Sequence, residues 1–177
     1  MKDNIRLAAL EIIALDGIDK LTMWALGERI GLAKATLYHY YKSKEEIIDD
    51  IFTMGHKHLM KNGFSLDMKE SCDKLFLAIA ENWKKLLKDD DNYLFLRAIS
   101  ELKLVNERAA EENNAIKLML KSQAETVATK LEGSDQKSIA FLFSSILFSL
   151  IDEVLSEEIS EDDIINNIES FISLIAL

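Results

Sequence analysis

The chain has 177 residues, 49% of them hydrophobic and 29% charged, and its formal net charge is −10. This is an ordinary globular composition, sufficient for one or two small domains with a core. A single cysteine, Cys72, excludes an internal disulfide and reads as a small core residue rather than a reactive thiol. No apolar run reaches the roughly 18 residues that span a bilayer. No signal peptide precedes the first helix, so the expected location is cytoplasmic, with no membrane partner.

Proline is absent and only six glycines occur. Nothing alternates with period two for long. Apolar residues recur instead at helical spacing, as at Ile5, Ala8, Ala9 and Ile12, and again at Ile164, Ile168, Phe171 and Ile175. The expected fold class is all-α, with about nine helices near 3–16, 23–30, 34–41, 44–62, 67–88, 91–105, 107–131, 135–156 and 161–176. Capping patterns mark several starts: Thr22, Ser43 with Glu46, Asp67 with Glu70, and Ser160 with Asp163.

The second helix should stop at Gly31, where a positive φ carries no Cβ clash. Leu32 then plugs the angle of the turn. In the third helix Leu37 and Tyr41 face inward, while Lys34, Ala35, Tyr38 and His39 face outward. Helix, tight glycine turn and a helix with a basic outer face make a helix-turn-helix pattern. Residues 29–44, RIGLAKATLYHYYKSK, hold four Lys/Arg, one His and three of the four tyrosines, without an acid. In an acidic chain such a stretch points to a nucleic-acid backbone, which draws cations and accepts hydrogen bonds from hydroxyls.

Residues 5 to 52 resemble the DNA-binding domain of the TetR family of bacterial transcription regulators. The matching pieces are IRLAALEIIALDG, the LT before the second helix, the IGLAKATLYHYYKSKEEI block and the spacing between them. The resemblance covers about a quarter of the chain. There are three departures. Ala33 stands where the family often has a capping Ser, Thr or acid, Trp24 stands where an arginine sometimes reads a base, and the basic arm is reduced to Lys2 and Arg6. The resemblance implies a three-helix helix-turn-helix domain over residues 1–46. A C-terminal helical bundle for dimerisation and ligand binding would occupy residues 47–177.

On this reading Lys34 can donate to a guanine edge or a phosphate, and the methyls of Ala35 and Thr36 can meet a thymine methyl. Trp24 joins the DNA-facing set. Tyr38, Tyr40 and Lys44 correspond to backbone clamps in the family, Thr22 has a similar role, and Lys44 lies beside a helix N-terminus suited to phosphate. His39 reads as a solvated or phosphate-side residue. Tyr41 reads as packing against the first and fourth helices.

The segment from Ile139 to Leu155 is apolar almost all round, broken mainly by Ser144, Ser145 and Ser149. A helix with one buried face needs only a stripe, so this one is expected to bury two. The last helix is similarly rich. Phe141, Ser145, Phe148, Ser149, Ile168, Phe171, Ile172 and Ile175 are the expected homodimer interface, a four-helix arrangement as in the family. A double-stranded, roughly palindromic operator follows from such a dimer.

Family resemblance also implies a small-molecule effector of unknown identity. The residues able to line its pocket are His56, Met60, Phe64, Phe76, Trp83, Tyr93, Phe95 and Met119. Enzyme chemistry is not expected. His56 and His58 point apart on a helix, and no Glu-x-x-His, phosphate-cradling glycine loop or nucleophile elbow occurs. No cofactor or metal is expected. The runner-up reading is a TetR-like protein-interaction module with secondary DNA binding.

Overall fold

The computed structural model describes every residue except 62–65, 133–134 and 176–177, and for Met60 and Lys61 the backbone alone. Among the described residues there are helices and no strands: α1 Lys2–Glu11, α2 Met23–Ile30, α3 Lys34–Tyr40, α4 Lys44–Lys61, α5 Cys72–Leu87, α6 Asp90–Leu102, α7 Glu107–Ala128, α8 Gln136–Leu155 and α9 Glu161–Leu174. α1 runs on into a wider π-type turn, Ile12–Asp16, which ends at Gly17 with φ 88°. The all-α expectation holds, with helix boundaries close to those read from periodicity.

Two compact units make up the chain. One comprises Met1–Asn62 with Leu94–Asn113, the other Gly63–Tyr93 with Asn114–Leu177. This partition differs from a boundary after residue 46. α4 packs directly on α1, and Phe52 meets Phe95 of α6 edge-on at 6.0 Å between ring centroids. The interior of the first unit is formed by Ile5, Ile13, Leu21, Leu26, Leu37, Tyr41, Ile47 and Phe52, all essentially without exposure. Three helices of under 50 residues form too small a core by themselves, so α4 and part of α6 complete it.

In the second unit α9 packs along α5 and α8. Phe76, Phe143 and Phe171 form an aromatic chain, with centroids 4.4 Å and 6.2 Å apart. The start of α9 carries the full capping box, Ser160 with Asp163, read from the sequence. The start of α5 does not follow the sequence reading. Asp67 and Glu70 close a turn, with the Lys69 amide donating to the Asp67 carboxylate, and the helix begins after Ser71. Asx turns compete with helix starts for the same residue types, and here the turn wins.

Two further expectations change. α8 is long and apolar enough to cross a membrane by length and composition, with a mean hydropathy of 1.8, contrary to the sequence reading. Its serines do not lower the average enough to exclude it. Less than half of that stretch, 44%, is buried, and Phe141 and Leu142 stand exposed on it. Cys72 is half-buried rather than core. Its thiol approaches the Val127 carbonyl at 3.7 Å, and burial followed by the neighbouring Asp73 charge pushes it up, away from thiolate chemistry.

Candidate nucleic-acid interface

The helix-turn-helix is assembled by local chemistry. The Thr22 hydroxyl accepts from the Ala25 amide at 3.0 Å and starts α2. Gly31 closes it in the left-handed region, φ 67°. The Leu32 amide then donates to the Gly27 carbonyl at 2.9 Å, folding the turn back on α2. A Cβ on Gly27 would stand 2.6 Å from the Leu32 carbonyl oxygen. Gly27 is therefore needed for this close approach, a role helical periodicity gave no hint of.

α3 is held by one buried side chain. Leu37 has no exposure, whereas Lys34, Ala35, Thr36, Tyr38 and His39 all face solvent. The Lys34 ammonium lies 5.7 Å from the Tyr38 ring centroid, and His39 meets Tyr40 edge-on at 5.5 Å. Tyr40 and Lys44 are half-buried. Ala33 supplies no side-chain cap, as its identity requires. Trp24 stands out of the first turn of α2 with 69% exposure.

Behind this face, Tyr41 is buried and its hydroxyl donates to Asp50 at 2.6 Å, while Arg6 reaches the same oxygen at 3.0 Å. Lys2 lies 4.8 Å over the Tyr41 ring. Burial, then the bond to Asp50, pushes the Tyr41 hydroxyl far above its ordinary value. Burial would raise the Asp50 carboxyl too, but the bonds from Tyr41 and Arg6 outweigh it and hold the group low. Tyr41 is thus a structural residue, in line with its sequence reading.

Electrostatics corrects part of the basic stretch. Arg29 is turned back to Asp16 at 2.8 Å and Glu11 at 3.6 Å, and Arg6 is held by Asp50 and Asp3. Arg29 of the basic stretch and Arg6 of the reduced arm are thus both engaged by acids of their own unit. Lys34, Lys42 and Lys44 carry no ion pair among the described residues. The α4 N-terminus is also less open to phosphate than its sequence suggested. The Glu46 carboxylate takes the Lys42 amide at 2.7 Å, and backbone amide and Ser43 hydrogen bonds hold the Glu45 carboxyl below its usual range. Acids placed in the first turn to satisfy its orphan donors compete with any anion from outside.

Residues 5–51 match the family model described as bacterial regulatory proteins, tetR family. The chain carries a TetR-family N-terminal domain. No curated protein matches it by sequence. Among solved structures, a TetR-like transcriptional regulator from Rhodococcus sp. RHA1 is 17% identical, with a TM-score of 0.72, covering 99% of this chain and 96% of that one. A proposed transcriptional regulator from Saccharomonospora viridis, solved in complex with choline, is 14% identical with a TM-score of 0.69, covering 97% and 95%. A proposed fatty acid metabolism regulator from Clostridium perfringens is 22% identical with a TM-score of 0.56, covering 93% and 94%. The TetR fold therefore extends over nearly the whole chain, well beyond the matched domain.

The residues named for an effector pocket are divided between the two compact units. His56 and Phe95 belong to the first compact unit, whereas Phe76, Trp83 and Met119 belong to the second, with Tyr93 at its edge of the sequence. Phe64 and the side chain of Met60 lie outside the described residues. Phe76, Trp83 and Phe95 are buried interior side chains, and Tyr93 and Met119 are half-buried. His56 instead joins Glu112, whose buried carboxylate takes His56 Nδ1 at 2.7 Å and Arg108 at 3.2 Å. Of the expected subunit contacts, Ile168 and Phe171 are buried within their own unit and offer little surface to a second copy. Phe141, Ser145 and Ser149 are exposed, and Phe148, Ile172 and Ile175 are half-buried. Periodicity identified the apolar residues correctly but not which neighbour covers each.

Proposed function

We propose that the protein is a DNA-binding transcription regulator of TetR type, acting in the cytoplasm as a homodimeric repressor without metal or cofactor. One observation carries this reading: Leu37 is the one buried side chain of α3, and Lys34, Ala35, Thr36, Tyr38 and His39 are turned outward. A short helix with one apolar anchor and a polar, cationic outer row suits insertion into a major groove. Paired copies would place two such helices about 34–36 Å apart and read an approximate palindrome. The open apolar face of α8, with Phe141, Leu142 and Ser145, supports pairing. The choline complex of a structural neighbour supports a small-molecule effector, which would lower DNA affinity by binding one conformational state better than another.

A second reading is a protein-interaction module with secondary DNA binding. The tying down of Arg6 and Arg29 favours it, because it leaves few cations for phosphate. Titration of the purified protein against the DNA upstream of its own gene, across salt concentrations, separates the two. The regulator should shift a palindromic fragment in preference to random sequence, with affinity falling steeply with salt. Weak binding that is equal for every sequence would reject it in favour of the module.

A further inference from the structure

Among the described phenylalanine, tyrosine and tryptophan side chains, Trp24 is the most exposed, at 69%. We propose that its indole sets operator specificity by lying against the C5 methyl of a thymine in the major groove of each half-site. The proposal rests on the DNA-binding reading above and deepens it by naming a base.

The packing of α2 places the ring. Met23, Leu26 and Gly27 are the buried residues of this helix. On the Gly27 flank α2 borders α3, since a Cβ there would stand 3.5 Å from Leu37 Cδ1. On the opposite flank Arg29 turns back to Asp16 and Glu11. Trp24 lies three residues before Gly27, one turn away on the same flank. It therefore stands on the side of α2 next to α3, whose outward row carries Lys34, Ala35, Thr36, Tyr38 and His39. The indole makes no hydrogen bond or ring contact among the described residues. Its chemistry then selects the base. An indole offers a broad apolar plate and one N–H donor, with no acceptor. It cannot give the paired hydrogen bonds by which arginine takes a guanine edge, nor accept from the amino group of cytosine or adenine. The thymine methyl is the major-groove feature that an apolar plate matches. Covering ring and methyl together removes both from water. A phosphate held by the N–H would leave most of the plate wet. Glu28, exposed one turn further on, also opposes a phosphate beside the ring.

Sequences selected from a randomised DNA pool by the full chain, and separately by Trp24→Ala and Trp24→Phe, test the assignment. The parent should fix a thymine at one position of each half-site. Trp24→Ala should lose that preference alone, with thermal unfolding unchanged because the ring is exposed. Trp24→Phe keeps an apolar ring and should retain part of it. On the selected duplex, deoxyuridine in place of that thymine removes only the methyl. It should weaken the parent about three- to fourfold per half-site and leave Trp24→Ala unaffected. Equal binding of the thymine and uracil duplexes by the parent would overturn the proposal. So would a Trp24→Ala loss that is the same for every sequence, which would make the indole a phosphate contact. A parent that selects no sequence rejects the regulator reading and this assignment with it. A parent whose selected thymine survives Trp24→Ala rejects the assignment alone.

Discussion

The Tyr41 hydroxyl donates to Asp50 at 2.6 Å, joining the end of α3 to α4, and Arg6 of α1 holds the same carboxylate oxygen. One partly buried acid thus ties both α1 and the residue that ends α3 to α4. Tyr41→Phe should lower the stability of the N-terminal unit by about 1–2 kcal/mol, since a hydrogen bond to a charged group is lost. Urea unfolding checks this.

The same cluster predicts a pH dependence at both ends. Asp50 has its carboxyl held low, so its contribution is present above the unfolded value of about 3.9 and is lost as pH falls through the folded one. Tyr41 is pushed up, so its contribution is complete below about pH 10 and is lost as pH rises toward its folded value. Urea midpoints measured against pH should therefore decline on both sides. In Asp50→Asn the acid-side decline should be shallower.

Gly27 and Gly31 are needed for different reasons, and their substitutions should respond differently. Gly27→Ala drives a Cβ into the Leu32 carbonyl, 2.6 Å away, and should cost about 1–3 kcal/mol with the turn displaced. Gly31 has open space but φ 67°, so Gly31→Ala should cost about 1–2 kcal/mol from backbone strain alone. Asn tolerates that conformation, so Gly31→Asn should recover much of the loss, while no side chain at position 27 should do so. Thermal melts of the set provide the comparison.

Tyr38 and Lys44 test the proposed DNA-facing surface. Tyr38 is 45% exposed, so Tyr38→Ala should weaken DNA binding while leaving unfolding within about 0.5 kcal/mol of the parent. Lys44→Ala should weaken binding to all sequences alike and reduce the salt slope by about one per site lost. A loss confined to one base pair would reject the phosphate assignment.

Gly55 lies against Phe95, whose ring would meet an added Cβ at 2.3 Å. Gly55→Ala should destabilise the first unit by about 1–3 kcal/mol. Phe95→Leu should restore part of that loss in the double variant, giving a measurable coupling energy in a double-mutant cycle.

Much of this architecture is legible in the chain before folding. Thr22, Gly31 and the Ser160–Asp163 pair act through groups within a few residues of themselves, so identity and spacing suffice to place them. Leu37 inward with Lys34 and Tyr38 outward follows from the turn of one helix. Asp67 is the local exception, because an Asx turn and a helix cap use the same residue.

Contacts between distant segments were not legible. Nothing in the identity of Arg29 says that Asp16 and Glu11 will claim it, nor that Gly27 must admit a carbonyl. Local backbone preference and period set the helices and the outward row of α3, because those depend on neighbours along the chain. The packing of segments far apart in sequence decided which cations stay free and which aromatics are buried, because those depend on neighbours in space.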